Sequence, residues 1–187
     1  MILVTPLEIR SNTIKDLEKI SRRLFSFLEE QGIRFSQASR DELKDRAVVE
    51  FSFNFLVAPF ILFGPFQDTT RKIISIAHEA GHVMIYNKMD REEARDYLCT
   101  MFVAHAIGLD EVSSKGQKLV LQVEAEASAS GLRLLREVGV EEKDLGTVKD
   151  MMSRWYTTYE VLCNPNVVKK TKNRILRDEK ASFLVCG

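Results

Sequence analysis

The sequence has few cysteines, no proline-rich or glycine-rich linker, and no excess of charge of either sign. Its three cysteines, Cys99, Cys163 and Cys186, are far apart and form no CxxC pair, which argues against a disulfide framework. Lysine plus arginine and aspartate plus glutamate each total 27, so no net field would attract the molecule to nucleic acid or to an anionic membrane. We therefore expect a protein of a reducing compartment whose partners include neither nucleic acid nor a membrane.

Long apolar runs and targeting patterns are also missing. The longest apolar run, from Phe55 to Phe66, is shorter than the roughly 20 residues of a membrane-spanning helix, and proline and glycine interrupt it. The N-terminus lacks the basic region, apolar core and cleavage site of a secretory signal. Because the 187 residues also contain no repeat and no low-complexity tract, we expect one cytoplasmic domain over the whole length, 1–187.

The spacing of apolar residues predicts a mostly helical α+β fold. Apolar residues recur at helical intervals from about Ile14 to Leu28, before the helix-stopping Gly32. The segment from about Val48 to Phe66 is rich in valine, phenylalanine and isoleucine, which predicts two or three short strands. Capping and stop residues predict four further helices, at about 68–87, 90–108, 114–138 and 141–163. The fold class is therefore α+β, with a small β-sheet that precedes the first of these four helices.

That helix carries an HExxH motif, His78-Glu79-Ala80-Gly81-His82. Residues four apart lie on one helix face, about 5–6 Å from each other, so both imidazoles can reach one divalent ion. Glu79 is rotated by about 100° from His78, so it can lie beside the ion without binding it, as a general base for metal-activated water must. The motif therefore predicts one Zn²⁺ ion per chain, bound by His78 and His82, with Glu79 as the catalytic base.

A catalytic zinc ion usually has a third protein ligand, which must come from another segment. Glu124 is the preferred candidate, because the small residues that follow it up to Gly131, and those of the HEAGH helix, would let two helices approach closely. Glu126 is an alternative, but it lies about 200° around the same helix, so only one of the two glutamates can face the metal. His105 is another alternative, although its apolar surroundings also suit a core histidine.

The HEAGH motif and Glu124 together resemble the gluzincin metallopeptidases, in which HExxH lies on one helix and a glutamate ligand on a later one. Within that group the chain is most similar to the ImmA/IrrE-like peptidases. Four residues match the second helix pattern of that family in register: Glu124, Ala127, Leu134 and Leu135. Ser128 replaces its asparagine, and the resemblance covers about residues 73–135. The resemblance implies a zincin-like domain, a His-His-Glu zinc site with Glu124 as third ligand, and a peptide or protein substrate.

Three functional hypotheses follow. In the first, the protein is a zinc metalloprotease in which Glu79 takes a proton from water and passes it to the leaving amine. An extended substrate could pair with a strand between 48 and 63, and Tyr156, Tyr159 or His105 could donate to the oxyanion. In the second, the chain is a catalytically weak or inactive metal-binding regulatory or interaction module. In the third, it is a helical scaffold without a metal.

Overall fold

The computed structural model describes residue 14 and residues 16–38, 43–52, 57–106 and 108–163. The helices are α1 (Leu17–Glu30), α2 (Thr69–Tyr86), α3 (Arg91–Ala106), α4 (Ser114–Glu137) and α5 (Leu145–Cys163), and a short 3-10 helix (Leu109–Glu111) precedes α4. The strands are β1 (Arg34–Gln37), β2 (Ala47–Glu50) and β3 (Phe60–Phe63). The predicted α+β fold, mostly helical with a small sheet before the HExxH helix, is confirmed. None of the described helices has both the length and the apolar character needed to cross a membrane.

The strands form one sheet in the order β1-β3-β2. β1 is parallel to β3, whereas β2 is antiparallel to β3 and pairs Val49 with Ile61. β2 is therefore an edge strand. β1 lies outside the segment predicted to form strands. Its four residues are mostly polar and exposed and show no extended apolar alternation, so the sequence did not predict this strand.

Side-chain caps fix the start of α2 and α3. The Oδ1 atom of Asp68 accepts hydrogen bonds from the backbone N–H groups of Thr70, at 2.7 Å, and Arg71, at 3.3 Å. At α3, the Asp90 N–H donates to Glu93 Oε2 at 3.1 Å, and the Glu93 N–H donates to Asp90 Oδ1 at 2.9 Å, so the two residues form a capping box. Because these bonds set where each helix begins, they also decide which residues face the interior.

α2 is the central helix of the described fold. It contacts α4 more extensively than any other two described elements contact each other, and it also packs against α1, β2 and β3. Ile73, Ile74 and Ile76 of α2 are fully buried in the main core, where they join apolar residues of α1, β3, α4 and α5. The HExxH motif therefore lies on a helix that is held from several sides.

Candidate metal centre

α2 and α4 cross at two glycines, and this crossing brings Glu124 to the HExxH helix. A Cβ atom on Gly81 would overlap the carbonyl oxygen of Ala127, and one on Gly131 would lie 2.7 Å from the carbonyl oxygen of Ala77. Unbonded carbon and oxygen atoms stay farther apart than this, so a side chain at either position would push the helices apart. The close approach predicted from the small residues of both helices is thus present in the fold.

His78, His82 and Glu124 meet in a buried cluster between the two helices. The Nε2 atoms of the two histidines are 3.2 Å apart. The carboxylate oxygens of Glu124 lie 3.3 Å from His78 Nε2 and 3.6 Å from His82 Nε2. A tetrahedral ion about 2.0–2.1 Å from each ligand atom requires those atoms to be about 3.3–3.4 Å apart. The three side chains therefore have the spacing needed to hold one metal ion.

The charge of the cluster also favours a bound cation. Glu124 is only 3% exposed, and the two histidines are the only basic groups of the described residues within 4.0 Å of its carboxylate. Burial would raise the pKa of Glu124, but His82 and His78 outweigh it through charge and hydrogen bonding and hold the pKa well below its usual value. Electron-pair donors that face one another at these distances need a proton or a metal ion between them.

A hydroxyl group contacts the outward-facing nitrogen of each histidine. Ser128 Oγ lies 3.2 Å from His78 Nδ1, and the Tyr97 hydroxyl lies 3.4 Å from His82 Nδ1. When Nδ1 carries the hydrogen, the ring donates it to the hydroxyl oxygen, and the Nε2 lone pair faces the position of the metal. Burial raises the pKa of Tyr97, and two nearby carboxylates raise it further, so this phenol stays neutral.

Glu79 lies beside the cluster without joining it. Its Oε2 atom accepts a hydrogen bond of 3.1 Å from the backbone N–H of Val49 on the edge strand β2. Burial raises the pKa of Glu79 to about 7, with His78 and the Val49 bond lowering it and Glu124 raising it. A metal ion in the cluster would lower this pKa, because its positive charge favours the carboxylate. Glu79 is therefore placed and tuned to accept a proton near the cluster.

The cluster opens into a cavity of about 600 Å³, which is bordered by β2, α3 and α5 and falls in the size range of small-molecule and peptide sites. Trp155, the only tryptophan of the chain, lines the cavity with its ring centroid 5.5 Å from that of His78. Tyr159 also lines it. Burial, the charges of Glu124 and Glu79, and a hydrogen bond to Glu124 raise the pKa of Tyr159, so its hydroxyl remains a donor at neutral pH.

The other candidates from the sequence lie elsewhere or outside the described residues. Glu126 is exposed, and its Oε1 atom accepts a hydrogen bond from Gln122, so it faces away from the cluster as its rotation predicts. The side chain of His105 lies outside the part of the chain that the structure describes. Tyr156 is described, but it is not among the residues that line the cavity.

The sequence analysis did not identify Tyr97 as part of the site. Tyr97 lies on the buried face of α3 together with Ala94 and Leu98, at the intervals of an ordinary core helix. No local pattern separates a tyrosine that contacts a ligand histidine from one that only packs. Its contact with His82 depends on how α3 packs against α2 and α4, which only the tertiary fold determines.

Comparison of the chain with protein-family models, curated proteins and solved structures found no match. The functional assignment therefore depends on the geometry of the site itself. That geometry is a buried His-His-Glu cluster of His78, His82 and Glu124 that can hold a metal ion at the base of an accessible cavity.

Proposed function

We propose that the chain is a cytoplasmic, zinc-dependent metallopeptidase of the gluzincin type, similar to the ImmA/IrrE-like peptidases, with a peptide or protein substrate. One observation carries this proposal: the His78, His82 and Glu124 cluster lies at the base of a cavity with Glu79 beside it. Two imidazoles and a carboxylate, with one position open, form a common ligand set of catalytic zinc. The free thiols of Cys99 and Cys163 agree with a reducing compartment.

The residues of the chain have distinct roles in the proposed reaction. When bound, zinc would supply a Lewis acid that polarises the scissile carbonyl and activates a water molecule. Glu79 takes a proton from that water as the water oxygen bonds to the carbonyl carbon, and then delivers the proton to the leaving nitrogen as the C–N bond breaks. Before a peptide binds, the Val49 N–H orients the Glu79 carboxylate. Tyr159 lines the same cavity, and its hydroxyl would donate to the oxyanion by turning away from the Glu124 carboxylate, to which it is hydrogen-bonded.

Zinc is favoured over iron by the position of Glu79. Two histidines and one carboxylate also bind iron in oxygenases, so the ligand set alone does not select the metal. A carboxylate one residue after the first histidine, which lies beside the cluster and accepts a hydrogen bond from a backbone N–H, suits a hydrolytic base. Oxygen activation by iron has no need for a base at this position.

Metal content and peptide hydrolysis, measured on the same protein purified without affinity-tag metals, test the proposal. We expect about one zinc ion per chain and hydrolysis of fluorescently labelled casein. Glu79→Gln should retain zinc but lose hydrolysis by about 10²- to 10⁴-fold, because its amide can still accept the Val49 bond but cannot take a proton. Glu124→Gln should lose both zinc and hydrolysis.

Glu126→Gln is the matched control for Glu124→Gln, because it makes the same change on the exposed face of the same helix. It should leave zinc content and hydrolysis unchanged. Hydrolysis that survives Glu79→Gln would contradict the assigned base, and iron in place of zinc would contradict the peptidase. Zinc bound without any hydrolysis would instead support the metal-binding regulatory module.

A further inference from the structure

The cavity has two chemically different ends, with the His78, His82 and Glu124 cluster between them. β2 and α2 run side by side along its length. Three contacts of β2, α2 and the residues that flank them follow this order. They are Gln67 N–H to Asp45 Oδ1 at 2.7 Å, Val49 N–H to Glu79 Oε2 at 3.1 Å, and the rings of Phe51 and Tyr86 at 4.9 Å. The cavity therefore extends from an Asp45 end, past Glu79, to a Phe51 end.

The Phe51 end is mainly apolar, although Glu50 beside Phe51 also lines the cavity. α3 lines it with Leu98, Met101 and Phe102, which lie three and four residues apart and so share one helix face, and α5 contributes Leu162. The ring of Phe51 packs edge-on against Tyr97 of α3, with the centroids 5.8 Å apart. A carboxylate would lose hydration against these apolar side chains, and none of them carries a positive charge to compensate for that loss.

The opposite end contains two arginines that line the cavity, Arg46 just before β2 and the half-buried Arg71 of α2. No carboxylate of the described residues lies within 4.0 Å of the Arg71 guanidinium. The acidic residue at this end, Asp45, accepts a hydrogen bond from the Gln67 backbone instead. A guanidinium keeps its charge at every physiological pH and matches the two oxygens of a carboxylate. This end of the cavity therefore favours a carboxylate from a ligand.

The geometry of α2 gives the distance from a ligand carboxylate bound at Arg71 to the peptide bond that would be cleaved at the cluster. Arg71 and His78 are seven residues apart, so they lie on nearly the same face of α2 and about 10 Å apart along its axis. An extended peptide advances about 3.3 Å per residue. A substrate peptide that binds along β2 therefore has about three residues between its carboxylate at Arg71 and the peptide bond at the cluster.

We infer that Arg71 is a specificity residue that selects peptides with a carboxylate about three residues from the bond to be cleaved. The carboxylate belongs either to an aspartate or glutamate side chain or to the C-terminus of the peptide. The inference rests on the proposed peptidase function, but the selection it describes is a property of binding and is measurable without cleavage.

Binding of three peptides to the Glu79→Gln protein, followed by Trp155 fluorescence, tests the inference. Each peptide is N-acetylated and has a phenylalanine surrounded by alanines. The first has a glutamate three residues to each side of the phenylalanine and a C-terminal amide, and the second has lysines at the same places. The third has neither and ends in a free carboxylate three residues after the phenylalanine. The single tryptophan beside His78 makes an added label unnecessary.

We expect the glutamate peptide to bind about tenfold more tightly than the lysine peptide, since hydrogen bonds to charged groups are strong. Arg71→Glu should reverse this order, Arg71→Gln should equalise the two affinities, and Arg71→Lys should keep the order. If the third peptide binds like the first, a terminal carboxylate is sufficient, and if it binds like the second, an acidic side chain is required. An unchanged order in Arg71→Glu and Arg71→Gln, or no binding of any peptide, overturns the inference.

Arg95→Glu is the matched control, because Arg95 is an exposed arginine of α3 that does not line the cavity. It changes the net charge by the same amount and should leave the order of affinities unchanged. Circular dichroism of each variant verifies that it is folded. If the proposed peptidase function is wrong, the wild-type protein will lack zinc or will not hydrolyse casein. Either result is compatible with tighter binding of the glutamate peptide than of the lysine peptide, so the two tests can fail independently.

Discussion

Hydroxyl groups orient the two histidines of the cluster. Ser128 contacts His78 Nδ1, and Tyr97 contacts His82 Nδ1. Neither partner carries a charge, so both fix the ring orientation and the tautomer without adding negative charge to a buried site that already contains Glu124. The direct contact of Ser128 with the ring shows that a small hydroxyl side chain reaches His78 from α4.

Replacing Tyr97 by phenylalanine tests this orientation. Tyr97→Phe removes only the hydroxyl, so the packing of α3 should persist while zinc affinity falls about 10- to 100-fold. Competition with a chromophoric chelator at fixed pH measures the affinity. Tyr86→Phe removes the same group from a residue that packs on Phe51, and it should leave the affinity unchanged. Equal affinities in the two variants would show that packing alone orients His82.

The crossing of α2 and α4 depends on two positions without side chains. Gly81→Ala places a methyl group against the Ala127 carbonyl, so α4 must move and carry Glu124 away from the histidines. We expect a loss of about 1–3 kcal/mol in the free energy of unfolding, from overpacking, together with loss of zinc. Urea denaturation and elemental analysis measure the two effects.

Gly146→Ala is the control for this change. Gly146 lies in the first turn of α5, and nothing lies within 4 Å of a Cβ atom placed there. Because alanine favours helix over glycine, we expect unchanged zinc content and a free energy of unfolding that is equal or higher by up to about 1 kcal/mol. If Gly81→Ala behaved like Gly146→Ala, the glycine crossing would not be what positions Glu124.

Elements with local signals were predictable from the sequence. Asp68 caps α2, and Asp90 with Glu93 caps α3, because such bonds join residues two or three apart and need no tertiary contact. Glu124 was predictable for a related reason. The small residues around it and around Gly81 indicate a close helix crossing before the fold is known.

Features that depend on distant partners were not predictable. The polar strand β1 is held by its pairing with β3, with Phe35 opposite Ile61, and has no strand pattern of its own. Tyr97 and Arg71 look like an ordinary core residue and an ordinary surface residue in the sequence. Their places beside His82 and in the cavity follow from how whole helices pack, which spacing along one helix cannot show.

A metal ion in the cluster would join two distant parts of the chain, because His78 and His82 lie on α2 and Glu124 on α4. Metal binding to the folded state alone adds to stability by mass action. At free zinc about 1,000 times Kd the gain is about 4 kcal/mol. For a chain of this length such a gain raises Tm by roughly 8–16 °C.

Thermal unfolding with zinc and with excess chelator measures this link. Wild-type protein and Glu126→Gln should show the same rise in Tm on addition of zinc, since Glu126 faces solvent. Glu124→Gln should show little or none, because the ligand supplied by α4 is lost. A Tm in wild type that does not respond to zinc would mean that the ion, if bound, does not connect the two helices.

The backbone N–H of Val49 on the edge strand β2 is already used by Glu79, the proposed base, whose carboxylate accepts its hydrogen. A backbone N–H has a single hydrogen, so a peptide that pairs with β2 at Val49 must displace the Glu79 carboxylate from it. That bond lowers the pKa of Glu79, and its loss leaves a stronger base. In the proposed peptidase, Glu79 is therefore held by β2 until a peptide strand pairs with Val49 and frees the carboxylate to take a proton.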